Sequence, residues 1–385
     1  MEKSRVVVIP CSSYDEELVY ESMKAGISML GGIDKFVKPE EKILVKPNFL
    51  SPAEEDKSIV THPSIIKGML RLLNENGYTN VKYGDSPGHG TCHAAAGKIG
   101  LNESNTYGAV LADMSEEVTV DFPEGKTCKE FHYCKEVVEA DAIIGLCKMK
   151  THMLERVTGA VKNMYGLVCG FRKAAGHVKF PNDGIFARAV ADIHRSTPQR
   201  LHVMDGIIAM EGNGPASGVP TPMNVLLFSA DPVALDTVFC HLIYLDPKFV
   251  PTNVQGSDMG IGQMDDDKIE IIIGSVDGNL SVVEKAELQE KLGNEKFDVA
   301  RAVPKKTVLE RFSVLSKRFG RRPAIDASKC IKCGICVNHC PVPEKAVNFK
   351  ADKSAPPVYD YTKCIRCYCC QEMCPQKAIY VKGKY

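Results

Sequence analysis

The sequence predicts an α/β domain with a mostly parallel sheet, followed by a small α+β domain that is rich in cysteine. Two observations predict this arrangement. Short β-rich runs alternate with helical patterns over residues 1–303, and eight cysteines fall into two runs of equal spacing in the part that follows. Alternating strands and helices are typical of a parallel sheet covered by helices, because a crossover between parallel strands usually contains a helix.

The predicted elements of the α/β domain follow one another in a regular order. Runs rich in Val and Ile predict strands over residues 6–9, 43–45, 81–83, 142–146, 201–204, 225–228 and 269–273. Helical patterns lie between many of them, at about residues 15–30, 63–76, 183–196 and 231–245. Asp231 followed by Pro232 predicts the start of the last helix, because Pro is favoured at the first helical position. The segment from about 100 to 140 is rich in β-forming residues, and the sequence does not assign it a place in the sheet.

Composition and charge exclude several classes of function. Of the 385 residues, 44% are hydrophobic and 25% are charged, which is ordinary for a globular protein. Lys plus Arg and Asp plus Glu both number 48, so the net charge predicts no nucleic-acid partner. The first apolar run, residues 6–9, is too short for a signal peptide, and no run approaches the roughly 18 apolar residues of a membrane span. We therefore expect a cytoplasmic protein whose sixteen cysteines stay reduced.

Two cysteine runs near the carboxyl end carry the strongest chemical signal. Each has the spacing Cys-x2-Cys-x2-Cys-x3-Cys-Pro. This is the run of bacterial ferredoxins with two [4Fe–4S] clusters, in which the fourth cysteine of each run ligates the other cluster. The sequence therefore predicts one cluster on Cys330, Cys333, Cys336 and Cys374, and a second on Cys364, Cys367, Cys370 and Cys340.

Other uses of these cysteines fit the spacing less well. Structural zinc sites pair cysteines across a longer loop, and disulfides are rare in reducing compartments. Cys369 lies between two of the predicted ligands and outside the pattern. It is either a small residue packed against a cluster, a ligand that exchanges with its neighbours, or a redox-active thiol.

A basic connector separates the two predicted domains. Residues 304–322 place four apolar side chains at helical spacing among seven basic ones. Such a helix can lie on a membrane surface or dock a domain, and we predict that it docks the ferredoxin domain, residues 323–385, onto the α/β domain. From Ala324 onward ten basic residues exceed five acidic ones. We therefore expect a redox partner protein such as a ferredoxin or flavodoxin.

Polar side chains follow four of the predicted strands at the points where those strands end. Because ligands of open α/β sheets bind beyond the carboxyl ends of the strands, these side chains predict one pocket, although each group alone is as easily a turn. Lysines in such a pocket would be costly to bury without an anionic partner. We therefore expect an anionic small molecule there, as an additional unidentified ligand. The predicted pocket residues are Lys46, Asn48, Asp85, Lys148, Lys150, Lys162, Asp205 and Glu211, with His89 and His152 beside them.

Several motifs in this order resemble those of a known family. They are Lys46-Pro47-Asn48, Gly84-Asp85-Ser86, Lys148-Met149-Lys150-Thr151-His152, Lys162-Asn163, Glu211-Gly212-Asn213-Gly214-Pro215 and Asp231-Pro232-Val233-Ala234-Leu235-Asp236. Together they resemble the family catalogued as domain of unknown function 362, whose members are often fused to a two-cluster ferredoxin domain. The resemblance covers about residues 5–300 and the carboxyl-terminal domain. It implies the same two-domain arrangement and little about chemistry.

A more distant similarity joins this chain to the nickel-dependent lactate racemases. It rests on the step of ten residues from His152 to Lys162 and on the glycines that follow at Gly166 and Gly170. The resemblance implies an acid/base histidine at His152, a covalent nickel cofactor on Lys162 and a metal ligand at His177. The racemase stretch is richer in glycine and aromatic residues before its lysine than this chain is. We therefore expect shared ancestry without the nickel cofactor.

Three functions fit the sequence. The first is an oxidoreductase, a reductase or dehydrogenase, that passes single electrons between the two clusters and a substrate or cofactor in the pocket, with His152 and His89 as acid/base groups. The second is a ferredoxin-like electron carrier whose α/β domain only docks partners. The third is a redox-sensing or maturation protein. We prefer the first.

Overall fold

The computed structural model describes residues 3–170, 172–180, 182–302 and 321–383. The strands of the large domain are β1 (Ser4–Pro10), β2 (Ile43–Lys46), β3 (Val81–Tyr83), β4 (Val110–Leu111), β5 (Glu117–Asp121), β6 (Glu130–Cys134), β7 (Ala142–His152), β8 (Arg156–Thr158), β9 (Gln199–Glu211), β10 (Val219–Ser229), β11 (Ile269–Gly274) and β12 (Leu280–Val283). Its helices are α1 (Glu16–Met29), α2 (Pro63–Glu75), α3 (Cys92–Lys98), α4 (Lys135–Glu139), α5 (Ala160–Asn163), α6 (Arg172–Lys179), α7 (Asp183–Ser196), α8 (Pro232–Leu242), α9 (Pro251–Asp258) and α10 (Lys285–Leu292).

One large sheet forms the centre of this domain. Its strand order is β12-β11-β1-β10-β9-β7-β2-β3-β4, and β8 pairs with the end of β7. The pairings of β1 with β11, β9 with β7, β7 with β2, β2 with β3, and β3 with β4 are parallel, whereas the other four are antiparallel. The predicted fold class is therefore confirmed. Because β3, β2, β7 and β9 are mutually parallel, their carboxyl ends lie at one edge of the sheet.

Helices cover both faces of this sheet. Alternate side chains of β1 enter two separate hydrophobic clusters, Val7 and Ile9 on one face and Val6 and Val8 on the other. The first cluster contains the buried sides of α1 and α2, and the second contains those of α8 and α10. The period of two along a strand explains this division, and two buried faces explain why β1 is a continuous apolar run.

Three parts of the sheet differ from the sequence prediction. β7 continues through Lys148 and Lys150 to His152, six residues beyond the predicted end. β10 runs antiparallel to both β1 and β9, so β9 and β10 form a long hairpin rather than two parallel strands. The segment from 100 to 140 contributes the short edge strand β4 and a separate antiparallel pair, β5 with β6.

The small carboxyl-terminal domain is built from two short strand pairs and two short helices. The strands are β13 (Arg322–Ile325), β14 (Val347–Asn348), β15 (Val358–Tyr359) and β16 (Ile379–Lys382), and the helices are α11 (Ile335–Asn338) and α12 (Cys369–Glu372). β13 pairs with β16, and β14 pairs with β15, both antiparallel. The predicted connector, 304–322, lies outside the described residues up to position 320, so its role and the domain boundaries stay predictions. In the part of the chain that the structure describes, no helix has the length and apolar character needed to cross a bilayer.

Candidate functional site

A cavity of about 360 Å³ lies where the carboxyl-terminal domain meets the carboxyl ends of the parallel strands. The α/β domain contributes the segments after β2 and β3, the last part of β7, α5 and the start of α6. The carboxyl-terminal domain closes the opposite wall with residues 338–341, Lys345, Cys369, Glu372 and Met373. The pocket predicted at the sheet edge therefore becomes a cavity between two domains.

β7 supplies three ionisable side chains to this cavity. Lys148, Lys150 and His152 alternate along the strand, so they share one face, and all three line the cavity. They are buried where β9 pairs with this part of β7 and the small domain covers the cavity. A strand that carries three such side chains on its buried face indicates a functional site rather than a packing role.

A buried ion pair fixes the first of these lysines. Lys148 Nζ lies 2.8 Å from Asp205 Oδ2 and donates to the Tyr14 hydroxyl at 2.8 Å. Asp205 also accepts from Tyr14 at 2.8 Å and from the backbone N–H of His62 at 3.0 Å. Burial lowers the pKa of Lys148, and the Asp205 carboxylate opposes that shift. Asp205 does not reach the cavity, so its role is to position Lys148.

A second buried ion pair supports the floor of the cavity. Lys46, the last residue of β2, places Nζ 2.8 Å from Asp85 Oδ1 and 3.2 Å from Asn163 Oδ1. Asp85 Oδ2 accepts the backbone N–H of Phe49 at 2.7 Å. Asp85 and Asn163 line the cavity, whereas Lys46 lies behind them. The pair therefore holds the segments after β2 and β3 and the end of α5 together.

Lys150 has a different environment from the two paired lysines. Its Nζ donates to Asn48 Oδ1 at 2.5 Å and to the carbonyl oxygen of Ile59 at 2.7 Å. Burial and the nearby charge of Lys162 lower the pKa of Lys150 to about 7. Its partners are neutral, so they do not offset this shift as Asp205 does for Lys148.

α5 carries Lys162 into the cavity. Asp236 accepts the N–H groups of Ala160 at 2.6 Å and Val161 at 3.1 Å, which caps the first turn of this short helix. Lys162 Nζ lies 5.9 Å from the ring centre of Tyr165 and 5.7 Å from that of Phe186. Cation–π contacts of this kind leave the three ammonium protons available to a ligand.

His152 lies against the carboxyl-terminal domain. Its Nδ1 accepts the backbone N–H groups of Leu154 and Glu155, both at 3.1 Å, so its proton is assigned to Nε2. Nε2 lies 3.1 Å from Oε1 of Glu372 in α12. Burial and the charge of Lys162 lower the pKa of His152 to about 4, so this imidazole is neutral near pH 7. Any proton that it exchanges must leave from Nε2.

Two further predicted site residues, besides Lys46 and Asp205, do not reach the cavity. His89 is exposed, and its ring lies 5.1 Å from that of His339 in an edge contact. Glu211 accepts the backbone N–H of Asp298 at 2.8 Å, outside the lining. The loop that follows Glu211 docks the small domain instead, because Gln371 donates to the carbonyl oxygen of Asn213 at 3.0 Å and to its Oδ1 at 3.1 Å.

The cavity also contains charged residues that the sequence did not point to. Lys173 of α6 donates to the carbonyl oxygens of Ser86 and Val168, and burial lowers its pKa to about 8. Lys345 and Glu372 come from the small domain. The signal for Lys173 was weak, since it follows no predicted strand. Lys345 and Glu372 could be recognised only from the contact between the domains. His177 lies on α6, and its side chain is outside the described residues.

The cysteines of the small domain surround two further, smaller cavities. One is lined by Cys330, Cys333, Cys336 and Cys374, and the other by Cys340, Cys364, Cys367 and Cys370. Donors point at three of these sulfur atoms: the N–H of Ala346 lies 3.3 Å from Cys340 Sγ, that of Ala378 lies 3.3 Å from Cys374 Sγ, and the Tyr359 hydroxyl lies 3.1 Å from Cys370 Sγ. Thiolates that receive such hydrogen bonds suit [4Fe–4S] clusters, so these residues fit the group.

Cys340 belongs to two of these cavities at once. It lines the second cysteine cavity and also the wall of the large cavity between the domains. Cys369, which neighbours Cys370, lines the large cavity as well. The second cysteine group is therefore immediately adjacent to the lysine-rich cavity.

Comparison with known proteins assigns both parts of the chain. The family described as "Domain of unknown function (DUF362)" matches residues 43–241. A thylakoid-associated protein of Synechocystis sp. is 30% identical over 263 residues, which are 66% of this chain and 79% of that protein. The chain belongs to the DUF362 family. Most of the cavity-lining residues of the α/β domain fall within the DUF362 match.

The second match lies at the carboxyl end of this DUF362 protein. A 4Fe-4S dicluster domain matches residues 315–378, which include all eight predicted cluster cysteines. The chain therefore contains an iron–sulfur domain of the kind that transfers electrons.

Solved structures resemble this DUF362 protein only in part. The crystal structure of a protein from Thermotoga maritima is 18% identical, with a TM-score of 0.34, and the match covers 53% of each chain. The lactate racemase apoprotein of Thermoanaerobacterium thermosaccharolyticum is 13% identical, with a TM-score of 0.38, over 62% of this chain and 56% of that one. The chain thus spans little more than half the length of these structures. The racemase is the family that the sequence resembles distantly, and at this score the likeness gives no information about cofactor or chemistry.

Proposed function

We propose that this protein is an iron–sulfur oxidoreductase that exchanges electrons between a redox partner and a small anionic molecule in the cavity between its domains. The observation that carries the proposal is the double position of Cys340, which lines both the second cysteine cavity and the large cavity. A docking surface alone would not need a cavity beside its electron carrier. We therefore favour an enzyme over an electron carrier.

Two groups of cysteines are proposed to hold the two clusters. Cys330, Cys333, Cys336 and Cys374 would hold one, and Cys340, Cys364, Cys367 and Cys370 would hold the other. Clusters of this class supply one-electron transfer when bound. The two small cavities and the donors that point at three sulfur atoms support this assignment.

The charge of the cavity supports an anionic ligand. Lys150, Lys162, Lys173 and Lys345 all line it. Lys148 lines it as well and pairs with Asp205, and Lys46 behind it pairs with Asp85, whereas the other four lysines take part in neither pair. Positive charge on buried or half-buried lysines is costly without a counter-charge. A carboxylate or phosphate group on the ligand would supply it.

The protein side chains would bind the ligand and control its protons. Lys162 and Lys173 would bind anionic groups as donors. His152 would exchange a proton only through Nε2, because two backbone N–H groups occupy Nδ1. The buried walls would keep water from the reacting atoms, which strengthens each of these charge interactions.

The redox partner would approach the other side of the small domain. Cys333 is exposed, and the neighbouring Ile331 is 60% exposed. Lys329 and Lys332 flank this apolar side chain in the sequence. An acidic one-electron carrier, such as a ferredoxin or flavodoxin, would be attracted to such a surface.

The test is anaerobic purification followed by iron and sulfide assay, metal analysis and mass spectrometry of released small molecules. We expect about eight iron atoms per chain and an anionic molecule in the released fraction. Lys162→Glu should lose that molecule and keep its iron, while Lys57→Glu, at an exposed lysine, should keep both. If wild type carries the iron but neither releases nor binds any small molecule, the protein is an electron carrier and the proposal is wrong.

A further inference from the structure

Lys150 is bound by the protein through two neutral oxygen atoms. Its side chain is buried, and its Nζ donates to Asn48 Oδ1 and to the carbonyl oxygen of Ile59. Lys46 and Lys148, the other buried lysines of this edge, each contact a carboxylate at 2.8 Å. The sheet edge thus contains two lysines that pair with a carboxylate and one whose hydrogen-bond partners are neutral.

The two hydrogen bonds of Lys150 suit either protonation state. An ammonium group has three N–H donors, whereas a neutral amine has two donors and one lone pair. Asn48 and Ile59 take two donors in both cases. The remaining position of Nζ is a proton in one state and a lone pair in the other. Because Lys150 lines the cavity, that position is available to a ligand there.

The charged groups around Lys150 come from four parts of the fold. Lys148 and His152 share its strand, Lys162 comes from α5, Asp85 follows β3 and Glu372 comes from α12. Lys162 and Lys148 disfavour a charge on Lys150, whereas Glu372 and Asp85 favour it. Burial is the largest influence, and the balance leaves the pKa of Lys150 at about 7.

We propose that Lys150 is the residue that transfers a proton to and from the ligand in this cavity. On reduction of the ligand, an N–H bond of the Lys150 ammonium breaks and the proton bonds to a ligand atom that has gained electrons. The electrons come from a reduced carrier protein of the ferredoxin or flavodoxin class, and water returns the proton to the amine. Oxidation of the ligand reverses these transfers. The inference rests on the proposed function for its ligand.

The first test measures the protonation of Lys150 without any substrate. Cyanate is a small anion that carbamylates neutral amines, and the holoprotein is treated with it between pH 6 and 10 before peptide mass spectrometry. We expect the carbamylation of Lys150 to have a midpoint near pH 7, about three pH units below the value for a lysine side chain in a model peptide. Carbamylation of Lys150 that still rises steadily up to pH 10, or modification of Lys162 and Lys173 without Lys150, would overturn the proposal.

The second test does not depend on reagent access. The midpoint reduction potentials of the holoprotein are measured from pH 6 to 9. We expect one potential to fall as pH rises through about 7, because loss of a nearby positive charge disfavours reduction. Lys150→Met should abolish the fall centred near pH 7, and Lys57→Met, at an exposed lysine outside the cavity, should keep it, with iron content and circular dichroism as controls for both. A fall centred near pH 7 that survives in Lys150→Met contradicts the proposal. If no anion is ever released from the protein but Lys150 still titrates near pH 7, the proposed function fails and this protonation behaviour stands.

Discussion

The buried pair of Lys46 and Asp85 gives the most quantitative prediction. Both side chains are almost completely buried, and their charged atoms lie 2.8 Å apart. Asp85→Asn keeps the shape of the side chain and removes its charge. Breaking a buried pair in this way costs about 3–5 kcal/mol, because an uncompensated charge remains. Lys46 keeps the Pro47 carbonyl at 2.9 Å and Asn163 at 3.2 Å as neutral partners, so we expect the lower end, about 3 kcal/mol.

Hydrogen exchange measured by mass spectrometry reports this loss of stability at the site. A loss of about 3 kcal/mol corresponds to roughly 150-fold faster exchange of the β2 and β3 amides, since each 1.4 kcal/mol is about tenfold. Asp56→Asn is the matched control, because Asp56 and Lys57 form an exposed pair at 2.9 Å whose loss should cost less than about 1 kcal/mol. The double variant Lys46→Met/Asp85→Asn should recover most of the loss. If Asp85→Asn exchanges no faster than Asp56→Asn, the pair does not hold this edge together.

Three further predictions test separate parts of the account. Gly166→Ala should unfold at a much lower temperature than wild type, because its Cβ would overlap the Asp85 carboxylate and Lys46 Nζ. Gly97→Ala is the control in the same thermal melts: this position is helical and open, so the change should be neutral or stabilising by about 0.5 kcal/mol. His152 has a pKa of about 4 in the folded protein and about 6.5 in the unfolded chain. Because the unfolded state binds more protons between these values, the free energy of unfolding should fall as the pH drops from 6.5 to 4. His152→Gln should reduce this pH dependence, measured by urea titrations. Cys330→Ser and Cys364→Ser should each lower the iron content below about eight atoms per chain, by damage to different clusters.

The elements of the α/β domain were predictable because their signals are local. Strands such as β1 and β11 are short apolar runs, and α8 begins at Pro232 after the side chain of Asp231 caps it. The end of β7 was not predictable in this way. Its last six residues include two lysines and one histidine, whose burial depends on the neighbouring strand β9 and on the small domain. The direction of β10 was also hidden, because an apolar run of this kind fits a parallel or an antiparallel strand equally well.

The residues of the candidate site also divide into those with a local sequence signal and those without one. Lys148, Lys150 and His152 reach the cavity because they lie in the last part of β7, and Lys162 reaches it from the short helix α5. Glu372 and Lys345 were missed because their position depends on how two domains meet, which no local pattern records. Glu211 was included because it belongs to a polar cluster that follows the predicted strand 201–204, but the loop after it serves docking, through the contacts of Asn213 with Gln371.

The most direct test of the central claim asks which cysteine group exchanges electrons with a ligand in the cavity. The proteins compared are wild type, Cys330→Ser and Cys364→Ser. Each is reduced chemically under anaerobic conditions and mixed with the small-molecule fraction released from the wild-type protein. Reoxidation is followed by the visible absorbance of the clusters. The account predicts that Cys330→Ser is reoxidised as fast as wild type, because the Cys340 group borders the cavity, and that Cys364→Ser is reoxidised much more slowly. Equal rates in both variants, or no reoxidation of wild type, would contradict the claim that electrons reach a ligand in this cavity.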